Sequence, residues 1–230
     1  MKNKYIPLKA ALTLMFAFIV ATAFAQTPFS GPSDPTTAPP TVPIPATVQQ
    51  VLCSGTQIQL NTAATAGYTY QWYKKDPTTG NPVLVQSGSS PAYTETPTAS
   101  GYYTYQLVVI NSNGCTSTSS DAFNVFILPA ITAAISASSG DVCASGQTTS
   151  VLTATPANGG AYTYTYAWTR NGVPITGATS NTYTVSETAA ATVTFGVTVS
   201  YALNSACSST ATQTINVIAV PTKPVIITGP

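Results

Sequence analysis

The chain has 230 residues, of which seven are Lys or Arg, six are Asp or Glu and none is His. The missing histidine removes the commonest general base and metal ligand, and the few cations argue against nucleic acid, whose binding needs clustered Lys and Arg. Charged residues at 6% are far below the usual share, yet a 44% hydrophobic and 10% aromatic content supplies ample apolar surface for packed cores.

At the start of the chain Lys2, Lys4 and Lys9 precede an apolar run from Ala10 to Phe24, and Ala23-Phe24-Ala25 puts small residues where a signal peptidase cuts. This reads as a secretory signal over 1–25. The run is shorter than the roughly 20 apolar residues of a spanning helix, and Thr13 and Thr22 interrupt it. No later stretch is apolar enough to cross a bilayer, so the expected mature chain has no transmembrane segment and is secreted or at the cell surface. Its charge is set by Lys74, Lys75, Arg170 and Lys223 against Asp34, Asp76, Glu95, Asp121, Asp141 and Glu187, or 4 − 6 = −2. A surface of Thr, Ser, Asn and Gln has little repulsion between copies and suits assembly. Residues 26–38 form a Pro/Thr-rich linker, too dense in proline for a ladder strand, and an edge strand follows.

Two copies of one pattern then organise the chain. They open at Cys53-Ser54-Gly55 and Cys143-Ala144-Ser145-Gly146. Each continues with an alternating aromatic strand, Tyr68, Tyr70, Trp72 and Tyr162, Tyr164, Tyr166, Trp168, which puts one aromatic face toward a core. Gly80-Asn81-Pro82-Val83 matches Gly172-Val173-Pro174-Ile175, and Asn111-Ser112 leads to Cys115 as Asn204-Ser205 leads to Cys207. Phe123-Asn124-Val125 and Ile215-Asn216-Val217 follow at equal offsets from those cysteines. Short runs of Val, Ile, Thr and Tyr between Gly, Pro, Asn and Ser clusters give the rhythm of an all-β sandwich. The expected domains are 39–128 and 129–220, with a tail over 221–230.

The core residues Trp72 and Trp168 and the Ser100-Gly101-Tyr102-Tyr103 sequence, which looks like a tyrosine corner built on Tyr103, make the chain resemble bacterial immunoglobulin-like repeat modules of secreted and surface adhesive proteins. The resemblance covers about 39–220 and implies two tandem antiparallel β-sandwiches used for spacing, adhesion and assembly. In an antibody domain the second cysteine follows the corner tyrosine by two residues; here Tyr105 holds that place and Cys115 lies in the terminal turn. The resemblance therefore implies staples at the ends of the sandwiches. Four cysteines allow three connectivities, and the repeat favours Cys53–Cys115 and Cys143–Cys207.

No catalytic constellation, metal ligand set or cofactor motif is found: the carboxylates are scattered, and neither a Gly-rich phosphate loop nor a Gly-x-Ser-x-Gly elbow occurs. The expectation is a protein that is not an enzyme and needs no cofactor. Tyr73 and Tyr102 fall out of phase with their neighbours, which makes them the candidate glycan contacts, set against core packing for the other aromatics. In the tail, Val225, Ile226 and Ile227 look like the first strand of a third repeat. Strand addition to the next subunit is one reading; a frayed end, a strand folded on its own domain, or a shortened chain are the others. The expected partners are further copies or other surface proteins, with glycans as the alternative ligand class.

Overall fold

A computed structural model describes residues 47–76, 78–146, 148–157 and 162–226. The expected signal at 1–25, linker at 26–38 and edge strand at 39–45, together with Ile227, lie outside these residues.

Seven strands make the first sandwich: β1 (Gln50–Leu52), β2 (Ile58–Leu60), β3 (Thr69–Lys75), β4 (Pro82–Gly88), β5 (Tyr93–Glu95), β6 (Gly101–Ile110) and β7 (Phe123–Ile127). One sheet has the order β1-β7-β6-β3-β4 and faces the pair β2-β5. The second sandwich has β8 (Ala133–Ala137), β9 (Asp141–Cys143), β10 (Ser150–Pro156), β11 (Tyr164–Arg170), β12 (Val173–Pro174), β13 (Thr182–Val185), β14 (Ala191–Tyr201) and β15 (Ser208–Ile218). Its sheets are β13-β10-β8 and β12-β11-β14-β15-β9. Among the described residues no strand of one sandwich pairs with a strand of the other, so the expected pair of tandem all-β sandwiches is what the chain forms. The hairpin from β11 to β12 turns on Asn171 (φ 48°) and Gly172 (φ 81°), the two left-handed residues that a tight two-residue turn requires.

Alternation fills both cores. Ile58, Leu60, Trp72, Tyr105, Val125 and Ile127 pack together in the first, while Leu152, Trp168, Val193, Phe195 and Ile215 anchor the second. The Tyr103 hydroxyl donates to the Ala99 carbonyl at 2.9 Å, completing the tyrosine corner. In the second sandwich Phe195 lies opposite Arg170 as Tyr105 lies opposite Lys74. Val193, two residues earlier, therefore holds the place of Tyr103, and no corner hydroxyl is available there.

The first strand of each five-stranded sheet runs parallel to the last, β1 along β7 and β9 along β15. This direction overturns the expected disulfides. Leu52 lies beside Ile127, which pairs with Gly101, whereas Cys115 follows Ile110 at the other end of β6. Nine residues of strand, about 30 Å, separate those ends, and a disulfide spans less than about 7 Å between Cα atoms. Cys143 and Cys207 likewise stand at opposite ends of β15. The bridge instead joins Cys53 to Cys207, from one sandwich to the other, with Cα atoms 5.2 Å apart, and Cys115 and Cys143 are free thiols.

Candidate functional site

The bridge lies in a joint that each sandwich builds from one end. From the first come the turn after β1, carrying Cys53, and the exit of β7 at Leu128, whose N–H donates to the Leu52 carbonyl at 2.8 Å. The second contributes the turn between β14 and β15. There the Tyr201 N–H donates to the Cys207 carbonyl at 3.1 Å, and the Cys207 N–H to the Asn204 carbonyl at 3.0 Å.

Between these ends lies an apolar cluster of its own. Val48, Val51, Phe126 and Leu128 of the first sandwich meet Tyr201 and Cys207 of the second, all buried, with Tyr102, Ile131, Tyr162 and Leu203 packed around them. Tyr201 is fully buried between Tyr162 and Tyr164, ring centroids 5.2 and 5.1 Å away. Burial, reinforced by those two tyrosines, pushes its hydroxyl pKa well up. The hydroxyl stays protonated and donates to the Pro129 carbonyl at 3.1 Å, fixing the linker between the sandwiches. Asn204 donates from Nδ2 to the Val51 carbonyl at 2.9 Å, a side chain of the second sandwich satisfying backbone of the first. Apolar burial, one hydrogen bond across the joint, one to its linker and a covalent bond thus act on the same few residues.

The sequence-derived candidates disperse around this joint. Tyr102 packs edge-on against Phe126, centroids 4.7 Å apart, as part of the joint. Tyr73 is half-buried on β3, its hydroxyl donating to Gln71 Oε1 at 3.2 Å, and it pairs with Gln106, four residues along β6 from Tyr102. The two tyrosines are not brought onto one platform. Trp72 and Trp168 are core residues, as their alternation implies. In the tail Val225 is 84% and Ile226 97% exposed. The contacts of Asn204 and Tyr201 across the joint carry no sequence signal beyond the polar turn and the aromatic alternation.

A polar cluster in the first sandwich gathers around Glu95. Lys74 forms an ion pair with its Oε1, while Tyr93 and Tyr105 donate to Oε2 at 2.8 and 3.1 Å. Burial alone would raise the Glu95 pKa, but the hydrogen bonds from Lys74, Tyr93 and Tyr105 and the lysine charge outweigh it and hold the carboxyl below its ordinary value. The Lys74 Nζ also lies 4.7 Å from the Tyr103 ring centroid. Every oxygen of this carboxylate is engaged in cross-linking strands. Among the described residues no three of His, Cys, Asp and Glu come together as a metal site would need, and no helix is long and apolar enough to cross a membrane.

Residues 40–129 match the family described as "Ig-like domain CHU_C associated". The matched stretch is the first sandwich, which is similar to this bacterial immunoglobulin-like family. Among solved structures, the fibronectin(III)-like modules of Clostridium thermocellum CbhA are similar over 79% of this chain and 96% of theirs, at 14% identity and a TM-score of 0.44. The N-terminal four Ig domains of Dscam1 isoform 7.44 are similar over 74% of this chain at 16% identity and a TM-score of 0.33; the match spans 44% of that longer chain. No curated protein matches the chain.

Proposed function

We propose that the chain is an exported structural or adhesive module of the cell surface, in which two immunoglobulin-like sandwiches are locked end to end as a stiff spacer. The observation that carries this reading is the joint itself: a disulfide, an apolar cluster and hydrogen bonds to the first sandwich and to the linker leave the two sandwiches little freedom to swing. Domains that move relative to one another are usually separated by small, polar contacts. A disulfide also fits an oxidising compartment, in keeping with the signal at 1–25. Small-angle X-ray scattering of the mature chain tests it: one rigid, two-lobed particle is expected, and a broad distribution of interdomain arrangements in the oxidised protein would sink the reading.

Self-association through the tail is the finer part of the proposal. Val225 and Ile226 are exposed, and β4 is an edge strand with Val83, Leu84 and Val85 also exposed. Apolar segment and open apolar edge are the two ingredients of strand addition between copies. Deletion of residues 221–230 should abolish association seen by light scattering; identical monomers before and after deletion exclude it. Glycan binding through Tyr73 is the alternative, supported only by its place on the outward face of β3, and a glycan array on wild type and Tyr73→Ala separates the two.

A further inference from the structure

The two free thiols are the counterparts of the two bridged ones. Cys53 and Cys143 both follow or end the strand that runs parallel to the last strand of their sandwich. Cys115 and Cys207 both close the turn between the last two strands: the Asn111 N–H donates to the Cys115 carbonyl at 3.0 Å, as the Tyr201 N–H does to that of Cys207. Within the chain, one cysteine of each kind is joined across the joint. The remaining pair stands at the two outer ends, Cys143 at the far end of the second sandwich and the exposed Cys115 at the far end of the first.

The surroundings match as well. Strand pairing places Ile218 beside Cys143, in the position that Leu128 takes beside Cys53. Leu128 is fully buried in the joint, whereas Ile218 is 48% exposed. At the opposite outer end, Cys115 lines an open cleft of about 290 Å³ with Tyr68, Val109 and Asn111. By strand register Tyr68 holds the place of Tyr164, and Asn111 that of Tyr201, on the receiving side of the joint. One outer end therefore offers an exposed apolar side chain and a thiol, and the other a cleft and a thiol.

We propose that copies of this chain stack end to end, Ile218 of one copy seated in the Cys115 cleft of the next, and that a Cys143–Cys115 disulfide seals each contact as Cys53–Cys207 seals the joint within the chain. The occupant is a second copy because the new contact continues an interface the chain already makes with itself. Such a contact uses different surfaces on the two partners and propagates into an open row. Each Sγ gives up its proton and one electron and the Sγ–Sγ bond forms; both electrons and both protons pass to an external low-molecular-weight disulfide, whose own S–S bond is cleaved to two thiols. The inference rests on the exported reading, since such oxidants persist outside a reducing cytoplasm.

The test uses the mature chain as Cys115→Ser and Cys143→Ser variants, each with glutathione disulfide, alone and in equimolar mixture. Non-reducing electrophoresis should show each variant alone as more than nine-tenths monomer. The mixture should give a dimer whose linked peptides contain Cys143 and Cys115, and wild type should give a ladder that collapses on reduction. A mixture that stays monomeric, or a single variant that dimerises as well as the mixture, overturns the proposal. The same experiment on chains lacking 221–230 separates it from strand addition: a ladder that survives the deletion supports the disulfide contact while removing the tail from assembly. A rigid particle in scattering together with no mixed dimer overturns this contact and leaves the stiff spacer standing.

Discussion

Leu128 and Ile218 occupy the same place in their two sandwiches, beside Cys53 and Cys143 of the parallel first strand, yet Leu128 is fully buried and Ile218 is half exposed. The difference is the neighbouring sandwich that Leu128 has and Ile218 lacks. Leu128→Ala should cost about 3 kcal/mol through lost burial and a cavity. Ile218→Ala, tested in a Cys115→Ser background with the Cys53–Cys207 bridge intact, should stay within about 0.5 kcal/mol. Urea unfolding of the two variants side by side measures the contrast; equal losses would mean that the joint adds nothing to Leu128.

The Cys53–Cys207 bridge closes a loop of 154 residues. On the chain-entropy estimate a loop of that length contributes about 5 kcal/mol. In a Cys53→Ser, Cys207→Ser chain, calorimetry should show a lower melting temperature and separate transitions for the two sandwiches. A single unchanged transition would show that the apolar cluster alone holds the joint.

Trp168 and Trp72 share a role but not a hydrogen bond. Trp168 Nε1 donates to the Ser180 carbonyl at 2.8 Å, whereas the buried Trp72 Nε1 finds no acceptor among the described residues. Replacing each by Phe removes similar volume, so the costs should differ by the hydrogen bond: Trp168→Phe is expected to lose about 1 kcal/mol more than Trp72→Phe. Denaturant midpoints decide it, and the reverse order contradicts the assignment.

Glu95 sets an acid limit on the first sandwich. Its folded pKa lies below the ordinary 4.5, so its contribution is present in full above the unfolded value and is lost as pH falls from about 4.5 toward the folded pKa. Glu95→Gln should therefore cost about 2 kcal/mol at pH 7, the scale of hydrogen bonds to a charged group, and less at pH 3. Stability of wild type and variant against pH gives the curves; a parallel offset down to pH 3 would remove Glu95 as the cause.

Much of this architecture was legible in residue order. Two copies, their strand rhythm, the core tryptophans and the Tyr103 corner follow from alternation and turn chemistry, which are local. The cysteine pairing was not legible, because a repeat reveals that Cys53 corresponds to Cys143 but not at which end of the sandwich either lies. That depends on β1 running parallel to β7, a long-range choice with no local signature. The match of Phe123-Asn124-Val125 to Ile215-Asn216-Val217 was misleading in a related way. Strand pairing aligns Val125 with Ile215, two residues off, and a shift of two preserves every inward and outward side chain. The β14–β15 turn, closed between Tyr201 and Cys207 where the first sandwich closes it between Asn111 and Cys115, is longer by those two residues. The joint is illegible for a third reason: Tyr162, Tyr164 and Tyr201 look like core aromatics in one dimension, and only the stacking of the second sandwich on the first reveals whose core they join.

The bridge also decides what happens when the ends of the molecule are pulled apart. Tension entering ahead of β1 reaches Cys53, crosses the sulfur atoms to Cys207, and leaves along β15, so the backbone from 54 to 206 carries no load. Roughly 500 Å of contour length is hidden behind one covalent bond. A tether built this way can transmit force while nearly all of both sandwiches stays folded, and reduction of that single bond would be the event that lets it lengthen.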